Sequence, residues 1–137
     1  MGLTAKRQIE DFKTKQFDKY KKQILDLSSP NVEVEVDWST VGKPDEDMEH
    51  LIAETTGKIY FEPVIQAFKA VGVDQMGKDA LKDSVKKVVI KNSADSTNYE
   101  YFTFENGVLT IDHRPVYNVD DLNERTEYVT ELLIKNL

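Results

Sequence analysis

Across residues 31–38 apolar and acidic side chains alternate without a break. Val32, Val34, Val36 and Trp38 fall on one side, and Glu33, Glu35 and Asp37 on the other. A period of two is that of a strand with one buried face. The chain before it has a helical period. Thr4 is placed to cap a helix that runs to Leu27, where Ser28-Ser29-Pro30 stops it, because proline disfavours helical geometry in the residue before it. Phe17, Tyr20, Ile24 and Leu27 form one stripe at spacings of three, four and three. The earlier turns offer only Ile9 and Phe12 among lysines. The C-terminal half of this helix is therefore expected to dock, and residues 1–15 to protrude.

Beyond Gly42-Lys43-Pro44 the pattern is helical again. Pro44 followed by Asp45, Glu46 and Asp47 reads as a helix start with acids at its positive end, and Met48, Leu51 and Ile52 supply an apolar face. Gly57 reads as the end of that helix and Pro63 as the first turn of the next, which buries Val64, Ile65, Phe68 and Val71 before Gly72. Asp74 can cap a further short helix with Met76, Ala80 and Leu81 inward.

Residues 85–91 are β-branched and continuous enough for a strand inside a sheet. Residues 99–105 and 108–114 flank Asn106-Gly107, a hairpin signal, because a tight turn of this kind needs two residues tolerant of positive φ. With Glu105 opposite Val108, Phe104 meets Leu109, Phe102 meets Ile111 and Glu100 meets His113 on the core face. The opposite face then gathers Tyr99, Tyr101, Thr103, Thr110, Asp112 and Arg114. A last helix follows, capped by Asn118 and packing Leu122, Val129, Leu132, Leu133 and Leu137.

The order α-β-α-α-(α)-β-β-β-α predicts an α+β fold. It is a single domain over residues 1–137, a twisted, mostly antiparallel four-stranded sheet with helices mainly on one face and strand order left open. Nothing in the 137 residues marks a linker or a repeat.

Composition narrows the chemistry. Cysteine is absent, which removes disulfides, thiol nucleophiles and cysteine-held metals. No apolar run reaches membrane-spanning length, Met1-Gly2-Leu3-Thr4-Ala5-Lys6 lacks a signal peptide's apolar centre, and Lys6 stands where a myristoylation signal has Ser or Thr. The expectation is a water-soluble chain, cytoplasmic by default, with secretion after loss of a leader as the other option.

Eighteen basic against twenty-five acidic residues give a net charge of −7, the wrong sign for phosphate backbones. Neither nucleic acid nor membrane is expected as a partner. The charge is uneven. Residues 4–27 carry seven bases and four acids, residues 31–57 eight acids and one lysine, and residues 105–131 seven acids and two bases.

Gly72-Val73-Asp74-Gln75-Met76-Gly77-Lys78-Asp79 has the spacing of a phosphate loop up to its last position. That position needs a hydroxyl for magnesium, and Asp79 offers a carboxylate; the segment before it also reads as helix rather than strand. Gly72 as a helix terminator is the simpler reading. Glu46, His50 and Glu54 recur every four residues and could offer a metal three ligands from one helix side, as a solvated acidic face also would. Glu100 with His113 is a possible acid–base pair, or a plain cross-strand ion pair. Residues 118–129 lack the glycine and glutamate of a calcium loop.

What remains is a surface. Glu33, Glu35, Asp37, Tyr99, Tyr101 and Asp112 form the expected binding set, an open sheet face of carboxylates and phenols. Lys87 and Lys91 on a neighbouring strand are the ordinary way to neutralise that row. Tyrosine suits contacts because it buries much area with few torsions. The function expected is a non-enzymatic protein-binding domain, an inhibitor, immunity-like module or adaptor, with no cofactor and another protein as partner. Alternatives are a metal-dependent enzyme on the histidine sets, or a small-molecule pocket near Phe61, Phe68 and Phe102.

Overall fold

A computed structural model describes residues 2–137. The first helix is continuous. Its α segments, α1 (Leu3–Phe12) and α2 (Asp18–Leu27), are joined by a π-helical turn over Lys13–Phe17. Ala5, Phe12 and Ile24 are all fully buried. On an unbroken α-helix, at about 100° per residue, Ala5 and Phe12 would stand about 100° and about 120° away from Ile24. The π turn takes up one residue and brings those angles to about 0° and about 20°. Ala5 and Ile9 pack on Ile52, with Trp38 and Val116 around them. The N-terminal half is thus docked, not protruding.

β1 (Glu33–Val36) leads into the single turn α3 (Trp38–Val41), so Trp38 leaves the strand. A 3-10 helix over Glu46–Leu51 continues into α4 (Ile52–Thr56), a second π turn over Gly57–Phe61, and α5 (Glu62–Val71). The break expected at Gly57 does not occur. Gly57 has helical backbone angles, and a Cβ there would overlap the ring and hydroxyl of Tyr20. The glycine serves helix–helix approach, not termination. Pro63 is tolerated inside the helix because the ladder has already opened: Glu62 donates its N–H to the Gly57 carbonyl, five residues back.

α6 (Gln75–Ser84) starts as expected, with the Asp74 carboxylate accepting the Gly77 N–H at 2.8 Å. Leu81 is buried, but Met76 is 83% exposed and belongs to no core. Gly77 is required by packing, since a Cβ there would collide with the Val71 carbonyl.

β2 (Lys87–Lys91), a 3-10 turn over Tyr99–Tyr101, β3 (Thr103–Glu105), β4 (Val108–Asp112) and α7 (Leu122–Asn136) complete the chain. The sheet order is β1-β2-β4-β3. β1 and β4 both run parallel to β2, and only β3 is antiparallel to its neighbour. The fold is α+β, but its sheet is mixed and mostly parallel, which corrects the expected antiparallel one. Two contacts explain why. The long helical connection between β1 and β2 returns the chain to the starting end. The hairpin turn then docks by its second residue, the Gly107 carbonyl accepting N–H bonds from Lys86 (2.8 Å) and Lys87 (3.2 Å). This sets the start of β4 beside the start of β2. The hairpin itself is as expected: Asn106 and Gly107 have φ of 53° and 79°, and Glu105 and Phe104 pair with Val108 and Leu109.

One sheet face is covered. Val88, Ile90, Leu109, Ile111 and Phe104 share a core with Val64 and Phe68 of α5 and Val129 and Leu133 of α7. On the other face Lys87, Val89, Val108, Thr110 and Thr103 are half-buried, and Glu33, Glu35 and Glu105 are exposed. No helix among the described residues is long and apolar enough to cross a membrane.

Candidate functional site

The uncovered sheet face and the outer side of β1 are where the expected binding residues have to be sought. Glu33 and Glu35 project from β1 into solvent. Lys87, opposite them on β2, lies 3.3 Å from Glu35 Oε1 and 4.0 Å from Glu33 Oε2. One ammonium is shared by two carboxylates, so the row keeps a negative excess. Asp37 closes β1. Its N–H donates to the Ile90 carbonyl at 2.9 Å, and its carboxylate accepts the Ser39 hydroxyl at 2.6 Å, the main reason its pKa lies below the usual carboxylate value. Tyr101 is 40% exposed in the turn that enters β3.

Tyr101, which leads into β3 at the opposite edge of the sheet from β1, does not join this row, and neither do Tyr99 and Asp112. Residues 99–101 form a 3-10 turn, held by the Asn98 side chain accepting the Glu100 N–H, so an alternation of two cannot apply there. Tyr99 is half-buried instead, its ring 5.4 Å from Phe102 and 5.5 Å from Tyr128 of α7, and burial raises its pKa. Asp112 is buried and accepts the N–H groups of Ser93 (2.9 Å) and Ala94 (3.2 Å). Parallel pairing puts the end of β4 beside the end of β2, and the carboxylate spends itself on that turn.

The histidine sets are not assembled. Glu46 and His50 lie in a 3-10 helix, where residues four apart differ by about 120° around the axis. Among the described residues no group of three or more His, Asp and Glu side chains could hold a metal. Glu100 is exposed, whereas His113 is fully buried with Tyr60 and Phe102 beside its ring. Its Nδ1 lies 2.6 Å from the Arg114 carbonyl and so carries the proton, and burial lowers its pKa to about 4. Phe61, Phe68 and Phe102 are consumed in core packing.

Three groups hold the loop between β4 and α7, and two of them, Arg125 and Tyr60, are absent from the sequence reading. Arg125 is fully buried, donating from Nη1 to the Asn118 carbonyl (2.6 Å) and from Nη2 to those of Val119 (3.1 Å) and Lys58 (3.4 Å). Tyr60 donates its hydroxyl to the His113 carbonyl at 2.5 Å. On the outside, Arg114 bonds Asp45 at 2.9 Å, lies 3.7 Å from Asp95 and covers the Tyr117 ring at 4.2 Å, while Tyr117 donates to Asp45. Spacing carried a signal for the first: Arg125, Val129 and Leu133 recur every four residues and share the buried face of α7.

The chain stands apart by comparison: no protein-family model, curated protein or solved structure matches it.

Proposed function

We propose that this chain is a protein-recognition domain, an inhibitor, immunity-like module or adaptor, that holds a basic partner against the open side of its sheet. The observation that carries the reading is the asymmetry of that sheet. One face is sealed by α5 and α7, while the other leaves Val89, Val108, Thr103 and Thr110 half-buried beside the exposed carboxylates of Glu33 and Glu35. Half-buried aliphatics bordered by charge give contact area together with a preferred sign of partner. Glu33, Glu35 and Asp37 of the β1 segment are exposed, with Lys87 the cation bridging Glu33 and Glu35, so a basic surface would be steered toward the β1 end of the face.

Immobilised wild-type chain and the double variant Glu33→Lys/Glu35→Lys test this in a native lysate. A basic protein should be retained by the wild type, released as salt is raised, and retained at least about tenfold less by the variant. Equal retention by both, or a retained protein indifferent to salt, overturns the reading.

A further inference from the structure

β1 is an edge strand, and its hydrogen-bonding groups are divided in two. The Glu33 N–H donates to the Lys86 carbonyl at 3.1 Å and the Asp37 N–H to the Ile90 carbonyl at 2.9 Å. In a parallel ladder such residues alternate, so the N–H and C=O of Val34 and Val36 point away from β2. Among the described residues no other strand pairs with them. An open groove of about 520 Å³ runs along this edge between β1 and α2, lined by Leu25, Pro30, Val32 and Val34 together with the polar Lys21, Asn31, Glu33 and Glu35. Thus β1 turns Glu33 and Glu35 to the open face and rim of this groove, and Val34 to its apolar part beside Leu25, Pro30 and Val32.

We infer that this edge accepts an extended segment of the partner as a fifth strand, and that the segment alternates basic and apolar residues. The inference rests on the protein-recognition reading and names the partner's chemistry. A strand added at Val34 and Val36 places its side chains alternately on the two faces. One set would lie on the open face beside Glu33, Glu35 and Asp37, where charge complementarity calls for Lys or Arg. The other would enter the groove beside Leu25 and Val34, where aliphatic residues fit. A second copy of this chain is the wrong occupant. In the antiparallel register that pairs Val34 with Val36, Glu33 meets Asp37 and Glu35 meets itself; pairing Val34 with Val34 sets Glu33 against Glu35, and pairing Val36 with Val36 sets Glu35 against Asp37. Like charges directly opposite destabilise a ladder.

The test uses the whole isotope-labelled chain and three synthetic peptides. One alternates Lys and Val, one has the same composition in two blocks, and one is the alternating peptide with its pairing amides N-methylated. The alternating peptide should protect the Val34 and Val36 amides from hydrogen exchange. The block and N-methylated peptides should bind about tenfold or more weakly, as expected when a pair of ladder bonds is lost. Val34→Pro should do the same, since its N–H faces outward and proline is accepted on an edge; the methylated peptide makes the same point without altering the protein.

Equal binding of all three peptides, protection elsewhere, or a peptide-free dimer protecting these two amides overturns strand addition. A lysate partner lost with Thr110→Arg but kept with Val34→Pro overturns it while leaving the open-face reading intact. A partner indifferent to both of these and to Glu33→Lys/Glu35→Lys overturns both.

Discussion

Two arginines clamp the loop between β4 and α7 from opposite sides, and they do it by different physics. Arg125 is sealed inside and gives its protons to the carbonyls of Asn118, Val119 and Lys58. Arg114 lies at the surface between the carboxylates of Asp45 and Asp95. The loop they hold includes Val116 and Asn118 at φ of 69° and 53°, a left-handed geometry that a β-branched residue adopts only under constraint. The buried arginine gives all its bonds to backbone carbonyls from inside the fold, whereas the half-buried one pairs with carboxylates at the surface, where water would serve almost as well. The comparison teaches that charge in this protein stabilises most where it is least visible as charge.

Breaking the inner clamp should have the largest effect. Arg125→Ala leaves three part-buried carbonyls short of a donor and opens a void where the guanidinium was fully buried, and should cost about 4 kcal/mol in urea unfolding. A loss under about 1 kcal/mol would mean that the carbonyls find other donors.

Acid attacks the same region from within. His113 is held neutral in the folded chain down to about pH 4, while the unfolded chain takes its proton near pH 6.5. The associated stability is complete above about pH 6.5 and is lost as pH falls toward about 4, by up to about 3 kcal/mol. Unfolding measured at intervals across that window should show a slope that His113→Gln removes.

Tyr60→Phe takes the donor from the His113 carbonyl alone, and should cost about 1–2 kcal/mol with the fold otherwise unchanged. Arg114→Ala should move the thermal midpoint least of all, and the difference should shrink further in high salt. A larger loss for Arg114→Ala than for Arg125→Ala would invert the comparison.

The parts of this fold legible in the chain were those written in local chemistry. Asn106-Gly107 set the hairpin register, Asp74 announced α6, and the alternation from Val32 to Val36 gave β1 and its outward acids. The parallel pairing was not legible, because it depends on where the Gly107 carbonyl docks, some twenty residues from its partners in sequence. Gly57 and Pro63 read as punctuation because in isolation they are; the π turn between Thr56 and Glu62 absorbs both. Of the expected site, Glu33, Glu35 and Asp37 reach solvent where the alternation puts them, and Tyr101 reaches it from a 3-10 turn. Tyr99 and Asp112 do not follow the pattern, since a 3-10 turn and a buried turn cap replace the strand ends that the alternation assumed. Arg125 escaped notice because a lone base among acids is read as surface, although its spacing to Val129 and Leu133 put it inside.

The two π turns also govern how the chain can change in length. Phe12 and Ile24 are twelve positions apart and share one core because the first turn between them hides a residue, and the second turn carries α4 into α5 without a break. A single-residue deletion inside either turn would leave both flanks facing the interior, whereas one inside α5 would swing everything downstream by about 100°. Tolerance to shortening is therefore concentrated at two sites, which meet where the rings of Phe17 and Phe61 lie 5.9 Å apart.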